Sequence, residues 1–107
     1  MKNLQTVPPS DYLPYFEKIF TYAEKYGVQV LLDLHGAPGS QNGEVHSGLV
    51  TSEPHFNTEW NLQLAVQTIE AMAQYGATKS NLYGIELLNE PNHYSIDMHS
   101  WLDSYFK

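Results

Sequence analysis

Cysteine is absent from the 107-residue chain, and so is arginine. Without thiols the chain cannot form disulfides, and it could hold zinc only through histidine and carboxylate side chains. Five basic residues stand against twelve acidic ones, which gives a formal net charge of −7 at pH 7. Nucleic acids and anionic membranes are bound largely through basic side chains, so the composition argues against both as partners. A neutral substrate fits better.

Long hydrophobic runs are also missing. No stretch approaches the ~18 consecutive apolar residues of a membrane span, and the N-terminus has no apolar segment of signal-peptide length. By contrast, aromatic residues are abundant, with eight tyrosines and two tryptophans. These can be ordinary core and surface residues, or they can be stacking platforms for flat ligands such as sugar rings.

Helix-like and strand-like segments alternate along the chain. Apolar residues spaced by three and four predict helices, and short runs that are apolar on both faces predict buried strands. The predicted helices run from an N-cap at Ser10 to Gly27, from an N-cap at Asn57 to Gly76 and onward from an N-cap at Ser95. The predicted strands cover 28–35 and 82–88. This alternation implies an α/β fold with a parallel sheet. Because two strands cannot complete such a sheet, we expect residues 1–107 to form part of one larger domain.

Both predicted strands end in polar residues. The first ends in "DLHG", with His35, and the second in "LNEP", with Asn89 and Glu90. In parallel α/β folds the functional residues gather at the carboxyl ends of strands, which favours a cleft floored by these three side chains. The alternative is purely structural: Asn89 caps a helix, Glu90 is solvated, and His35 is a structural histidine.

Two further carboxylates precede these residues within the strands. Asp33 and Glu86 have the same facing as His35 and Glu90, so we expect them to be buried, paired supports rather than catalytic groups. The five histidines show no spacing typical of a metal site, and we expect neither a metal nor a cofactor.

A loop of about twenty residues, 36–56, separates the first strand from the second helix. Loops of that length are usually functional or disordered. Its opening sequence "GAPGSQNG" lacks the lysine of a phosphate-binding loop and the context of a dinucleotide fingerprint. We therefore expect its glycines to permit tight turns that bring the backbone close to a ligand.

In "LLDLHGAPGSQNG" (31–43) and "YGIELLNEP" (83–91) the chain resembles the exo-β-1,3-glucanases of glycoside hydrolase family five. The resemblance implies a (β/α)8 TIM barrel, of which this chain is a fragment carrying the third and fourth strands. It implies a retaining hydrolase that releases glucose from β-1,3-glucan or a related glucoside, without a cofactor, in an extracellular or cell-wall location.

The same resemblance assigns roles to residues. Glu90 matches the general acid/base, Asn89 the amide that holds the 2-hydroxyl of the sugar, and His35 a substrate-binding histidine. The matching nucleophile is a second glutamate on the seventh strand, beyond Lys107, so we expect the chain alone to be inactive. After "SQNG" the resemblance implies an aromatic residue and then Asp-Asn, whereas this chain has residues 44–46, "EVH".

Other activities remain compatible with the residues. Within the same fold these are a β-1,6-glucanase, a cellulase-type endoglucanase or another β-glucosidase, which would differ in the loops at the cleft entrance. From a different class, the chain could be an inactive glucan-binding remnant that keeps the acid/base half of the site and lacks the second carboxylate.

Overall fold

The computed structural model describes residues 8–92 together with residues 99, 102 and 103. Two helices and two strands alternate in it: α1 (Pro9–Lys25), β1 (Val30–Asp33), α2 (Glu59–Gly76) and β2 (Leu82–Glu86). The strands form a parallel two-stranded sheet. The predicted mixed α/β class and the parallel pairing are therefore confirmed. The third helix predicted from Ser95 falls almost entirely outside the described residues.

Helix α1 begins at Pro9, not after an N-cap at Ser10 as predicted. A proline in the first turn has its φ angle already set for the helix and lacks only an N–H that would find no partner there. Ser10 therefore lies inside the first turn. At the other end, Gly27 adopts a φ of 67°, and the amide of Val28 donates to the carbonyl of Ala23 at 2.8 Å. The predicted stop at Gly27 is thus confirmed as a left-handed C-terminal cap.

Helix α2 begins one residue later than predicted. Thr58, not Asn57, is the N-cap, and its side-chain oxygen accepts a hydrogen bond from the amide of Asn61. The prediction was wrong because both residues are good caps in the sequence, and only the extended backbone at Thr58 decides between them.

Both strands are shorter than the predicted ranges 28–35 and 82–88. Backbone pairing nevertheless continues past their ends. The amide of Leu34 donates to the carbonyl of Glu86, and the amide of Asn89 donates to the carbonyl of Leu34, each at 3.1 Å. The tips of β1 and β2 therefore remain joined beyond the regular ladder, at the level of the predicted site residues.

The main hydrophobic core lies where α2 packs against the ends of the strands. Phe56 and Ala65 are fully buried, and they pack with Ala37 and with the residues that precede the two strand tips, Leu34 and Leu88. The core therefore sits directly beneath those tips.

No element among the described residues covers the opposite face of the sheet. Asp33 and Glu86 are register partners there, and both are exposed. The prediction that they are buried was wrong for the described chain, because α2 packs on one face only and no layer of the described residues covers the other. The prediction that they are paired is confirmed for Asp33, whose carboxylate lies 2.7 Å from Nδ1 of His35.

Helix α1 is fastened to the segment before β2 by an ion pair. The ammonium group of Lys79 contacts both carboxylate oxygens of Glu17, at 2.6 and 2.8 Å, and the Tyr75 hydroxyl donates to the same carboxylate at 2.9 Å. The hydrogen bond from Lys79 is the main reason that the pKa of Glu17 lies below its usual value. The same bond raises the pKa of Lys79.

This cluster predicts an acid-sensitive contribution to stability. Because the pKa of Glu17 is lowered on folding, its contribution is present above the ordinary value of 4.5 and is lost as the pH falls through the folded-state value. Urea unfolding of the wild-type chain should therefore show a larger loss of stability on acidification than unfolding of Glu17→Gln. The difference should be modest and salt-dependent, since the Glu17 side chain is 53 % exposed.

The matched control is Glu70→Gln, which changes an exposed glutamate on α2. This variant should lose as much stability on acidification as the wild type. If Glu17→Gln loses equally much, the ion pair does not contribute to the pH dependence of stability.

Candidate active site

The tip of β1 carries a histidine with a defined orientation. The Nδ1 atom of His35 lies 2.7 Å from a carboxylate oxygen of Asp33. Because an ionised carboxylate can only accept, Nδ1 carries the proton, and in the neutral ring Nε2 is left as an acceptor. The His35 side chain is 58 % exposed. In the neutral ring this arrangement leaves Nε2 as an exposed acceptor, and Asp33 fixes the orientation of the ring.

The tip of β2 turns sharply at Glu90. Its φ of 44° lies in the left-handed region, which costs a residue with a Cβ about 1–2 kcal/mol. The Glu90 carbonyl accepts a hydrogen bond from the side-chain amide of Asn42 at 3.0 Å. The turn leaves the Glu90 side chain 72 % exposed, while Asn89 beside it is half-buried. A carboxyl group therefore projects from the strand tip, and the backbone carbonyl of the same residue is hydrogen-bonded by Asn42 from the loop after β1.

The long loop that supplies this contact is ordered. Ser40 is fully buried with a φ of 62°, and its hydroxyl accepts from the amide of Gly43 at 2.7 Å and contacts the Ser47 hydroxyl at 2.6 Å. Gly43 has a φ of 79°, and a Cβ there would collide with the carbonyl oxygen of Thr51. These contacts give the loop a defined path beside the strand tips. The predicted need for glycine is confirmed at Gly43.

One fully buried side chain joins the loop to both strand tips. The Gln41 amide nitrogen donates to the carbonyl of His35 at 2.8 Å and to the carbonyl of Asn89 at 2.9 Å. Its amide oxygen accepts from the backbone N–H of Ala37 at 3.0 Å. Both donors and the acceptor of this side chain are thus used inside the protein, as a buried amide requires.

A second histidine approaches Glu90 from the same loop. Nε2 of His46 lies 3.2 Å from a carboxylate oxygen of Glu90 and 3.0 Å from the Asn42 side-chain nitrogen. A protonated Nε2 donates to the carboxylate, whereas an unprotonated one accepts from Asn42 or from a protonated Glu90. The rings of His46 and His35 are 5.9 Å apart between centroids. His46 therefore lies between the exposed carboxylate of Glu90 and the exposed ring of His35.

Two larger-scale properties of the described chain bear on the site. Among residues 8–92, 99, 102 and 103, no three histidine or carboxylate side chains converge in a way that could hold a metal ion. Over the same residues, no helix combines the length and the apolar character that crossing a bilayer requires.

The chain is similar in sequence to several proteins named glucan 1,3-beta-glucosidase. It is 38 % identical to that of Pichia angusta over 96 residues, which cover 87 % of this chain and 22 % of the relative. It is 41 % identical to glucan 1,3-beta-glucosidase 2 of Wickerhamomyces anomalus over 87 residues, which cover 78 % of this chain and 20 % of the relative. A sporulation-specific glucan 1,3-beta-glucosidase of Saccharomyces cerevisiae is 39 % identical over 87 residues, which cover 78 % of this chain and 19 % of the relative.

The chain thus spans about a fifth of the length of the relatives it matches. No family model matches it. The relatives are glycosidases by name, and the similarity extends over most of the present sequence. The chain is therefore glucosidase-like over the matched region.

The structure brings the predicted residues His35, Asn89 and Glu90 to one end of the sheet. Sequence reasoning missed the side chains that connect them, Gln41, Asn42 and His46. A signal for the first two was present, because two consecutive amides stand between glycines in a loop that leaves a strand tip. No comparable signal marked His46, whose role depends on the fold of a loop.

Proposed function

We propose that this chain supplies the acid/base half of the active site of a retaining glucan 1,3-β-glucosidase of glycoside hydrolase family five. The observation that carries the proposal is the convergence at the strand tips. There the exposed Glu90 carboxyl lies 3.2 Å from His46, above a carbonyl held by Asn42 and close to a tip that presents His35. The names of the relatives support glucan as the substrate class.

In the first step of the proposed reaction Glu90 acts as the general acid. Its carboxyl group donates a proton to the glycosidic oxygen, while a second carboxylate attacks the anomeric carbon and expels the leaving group. In the second step the Glu90 carboxylate takes a proton from water, which attacks the glycosyl intermediate and restores both groups. The 72 % exposure of the Glu90 side chain leaves it accessible to a substrate and then to water.

The two neighbouring polar residues orient the sugar. The side-chain amide of Asn89 would bond the 2-hydroxyl, an interaction that tightens as the oxocarbenium-like transition state forms. His35, with Nδ1 committed to Asp33, would accept a hydrogen bond from another hydroxyl through Nε2. The pairing of a neutral amide with an acid at one strand tip is what this reaction requires.

The proposal includes the (β/α)8 barrel. In such a barrel helices cover the outer face of each strand, and the inner face lines the interior. Here α2 covers one face, and within residues 8–92 no element covers the other face, which carries Asp33 and Glu86. In the proposed barrel that face would be the interior, and the nucleophilic carboxylate would come from another strand of it.

A chimera tests the proposal directly. A segment of this chain that runs from before His35 to beyond Glu90 would replace the matching segment of glucan 1,3-beta-glucosidase 2 of Wickerhamomyces anomalus, to which 78 % of this chain aligns. We expect the chimera to release glucose from β-1,3-glucan, because the host contributes the rest of the site and this chain contributes His35, Asn89 and Glu90. Release is measured by a coupled glucose assay against the parent protein.

The alternatives give different outcomes in the same assay. A folded chimera that binds β-1,3-glucan but does not cleave it would favour the glucan-binding remnant. Preferential cleavage of β-1,6- or β-1,4-linked glucan would assign the chain to a related activity of the same fold.

A further inference from the structure

The loop that follows β1 sends two consecutive side-chain amides to two consecutive residues at the tip of β2. Gln41 donates to the carbonyl of Asn89 at 2.9 Å, and Asn42 donates to the carbonyl of Glu90 at 3.0 Å. In return, the amide of Asn92 donates to the carbonyl of Gln41 at 3.1 Å. Three hydrogen bonds therefore connect this loop to the turn that carries the exposed carboxyl group.

The same loop also holds the first strand tip. The other hydrogen of the Gln41 amide goes to the carbonyl of His35 at 2.8 Å. One fully buried side chain therefore spans the carbonyls of the two residues predicted to bind the substrate, His35 and Asn89. The backbones of the two tips also pair directly through Leu34, and the Gln41 amide adds a side-chain link between the carbonyls of His35 and Asn89.

We infer that Gln41 and Asn42 are positioning residues: together they form an amide clamp that holds the carbonyls of Asn89 and Glu90 and sets the direction of the Glu90 carboxyl group. This inference rests on the proposed function, since positioning matters only if Glu90 delivers a proton. The clamp acts through backbone carbonyls and does not touch the substrate. It keeps Glu90 in its left-handed turn, with φ at 44°.

Two variants of nearly unchanged shape remove the clamp. Gln41→Glu and Asn42→Asp each replace an amide nitrogen by a carboxylate oxygen, which cannot donate to a carbonyl. The Asn42→Asp side chain still accepts from the amide of Glu44, as the Asn42 oxygen does at 2.9 Å. The matched control is Asn81→Asp, which removes an amide-to-carbonyl bond of the same kind to Phe20, 3.0 Å long, away from the strand tips.

The variants are compared in the active chimera, at temperatures well below its melting point. We expect each clamp variant to lower kcat on β-1,3-glucan by about 10²-fold, the loss that a displacement of about 1 Å can cause, with KM changing much less. For Asn42→Asp the loss should be larger on glucan than on a dinitrophenyl glucoside, which departs without protonation. Asn81→Asp should leave kcat unchanged. If Asn42 had a purely structural role, Asn42→Asp would lower kcat on both substrates equally.

The outcomes separate the clamp from the proposed function. If both clamp variants behave like Asn81→Asp, the clamp is overturned while the proposed function stands. If Gln41→Glu does not fold, Asn42→Asp, which is only half-buried, decides alone. If the unaltered chimera is inactive, the proposed function fails, and hydrogen exchange in the 107-residue chain then decides. Faster exchange of the Asn92 amide in Gln41→Glu than in Asn81→Asp supports the clamp, and equal exchange refutes it.

Discussion

Replacement of Glu90 by glutamine in the active chimera should lower kcat/KM on β-1,3-glucan by about 10²–10⁴-fold, the usual contribution of general acid–base assistance. Glutamine keeps the size of the side chain and cannot deliver a proton to the glycosidic oxygen. The loss should therefore depend on the leaving group. It should be severe for glucan and much milder for an activated aryl glucoside, which departs without a proton.

Glu86→Gln is the matched control for this experiment. Glu86 stands four residues earlier on β2 and is likewise exposed in the described chain. Its replacement should change activity without any dependence on the leaving group. Equal losses for Glu90→Gln on glucan and on the aryl glucoside would show that Glu90 is not the general acid/base. A loss in Glu86→Gln that depends on the leaving group would assign that role to Glu86.

The second large effect concerns stability. Phe56 is fully buried and packs with Leu34 and Leu88, so Phe56→Ala should destabilise the chain by about 3–5 kcal/mol. The cost combines the lost burial of the ring with the cavity it leaves. Urea unfolding followed by circular dichroism measures it, and Phe56→Leu should show a smaller loss because it fills part of the cavity.

Trp60→Ala serves as the control, since it removes a larger aromatic side chain at a residue that is 68 % exposed. It should change the unfolding free energy by no more than about 0.5 kcal/mol. A loss for Phe56→Ala as small as that of Trp60→Ala would mean that the core beneath the strand tips is not the one described.

Much of the architecture could be predicted from local patterns. The apolar spacing of α1 and α2 and the two strand-like runs were enough for the element order, because each element depends on residues close together in the sequence. The parallel pairing followed from the alternation of helices and strands. The polar residues His35, Asn89 and Glu90 stand out for a related reason. A strand that ends on such side chains is typical of a functional sheet edge.

The remainder depended on contacts between distant residues. The side chain of Gln41 looks like any polar loop residue in the sequence, yet it is fully buried, because its partners lie at the two strand tips. The exposure of Asp33 and Glu86 was mispredicted for a related reason: alternation gives the face of a residue but not whether another layer covers that face. The contact of His46 with Glu90 required the path of the intervening loop.

The two bonds of the clamp to the second strand tip each join residues that are 48 positions apart. Forming such contacts closes a long loop, so we expect this end of the sheet to be completed late in folding. During synthesis at about 5–20 residues per second, Gln41 precedes its partner Asn89 by several seconds. Until Asn89 is made, the Gln41 amide lacks one of the partners that it has in the folded chain. The part of the site that follows the first strand is therefore made several seconds before Glu90, whose carboxyl group it helps to position.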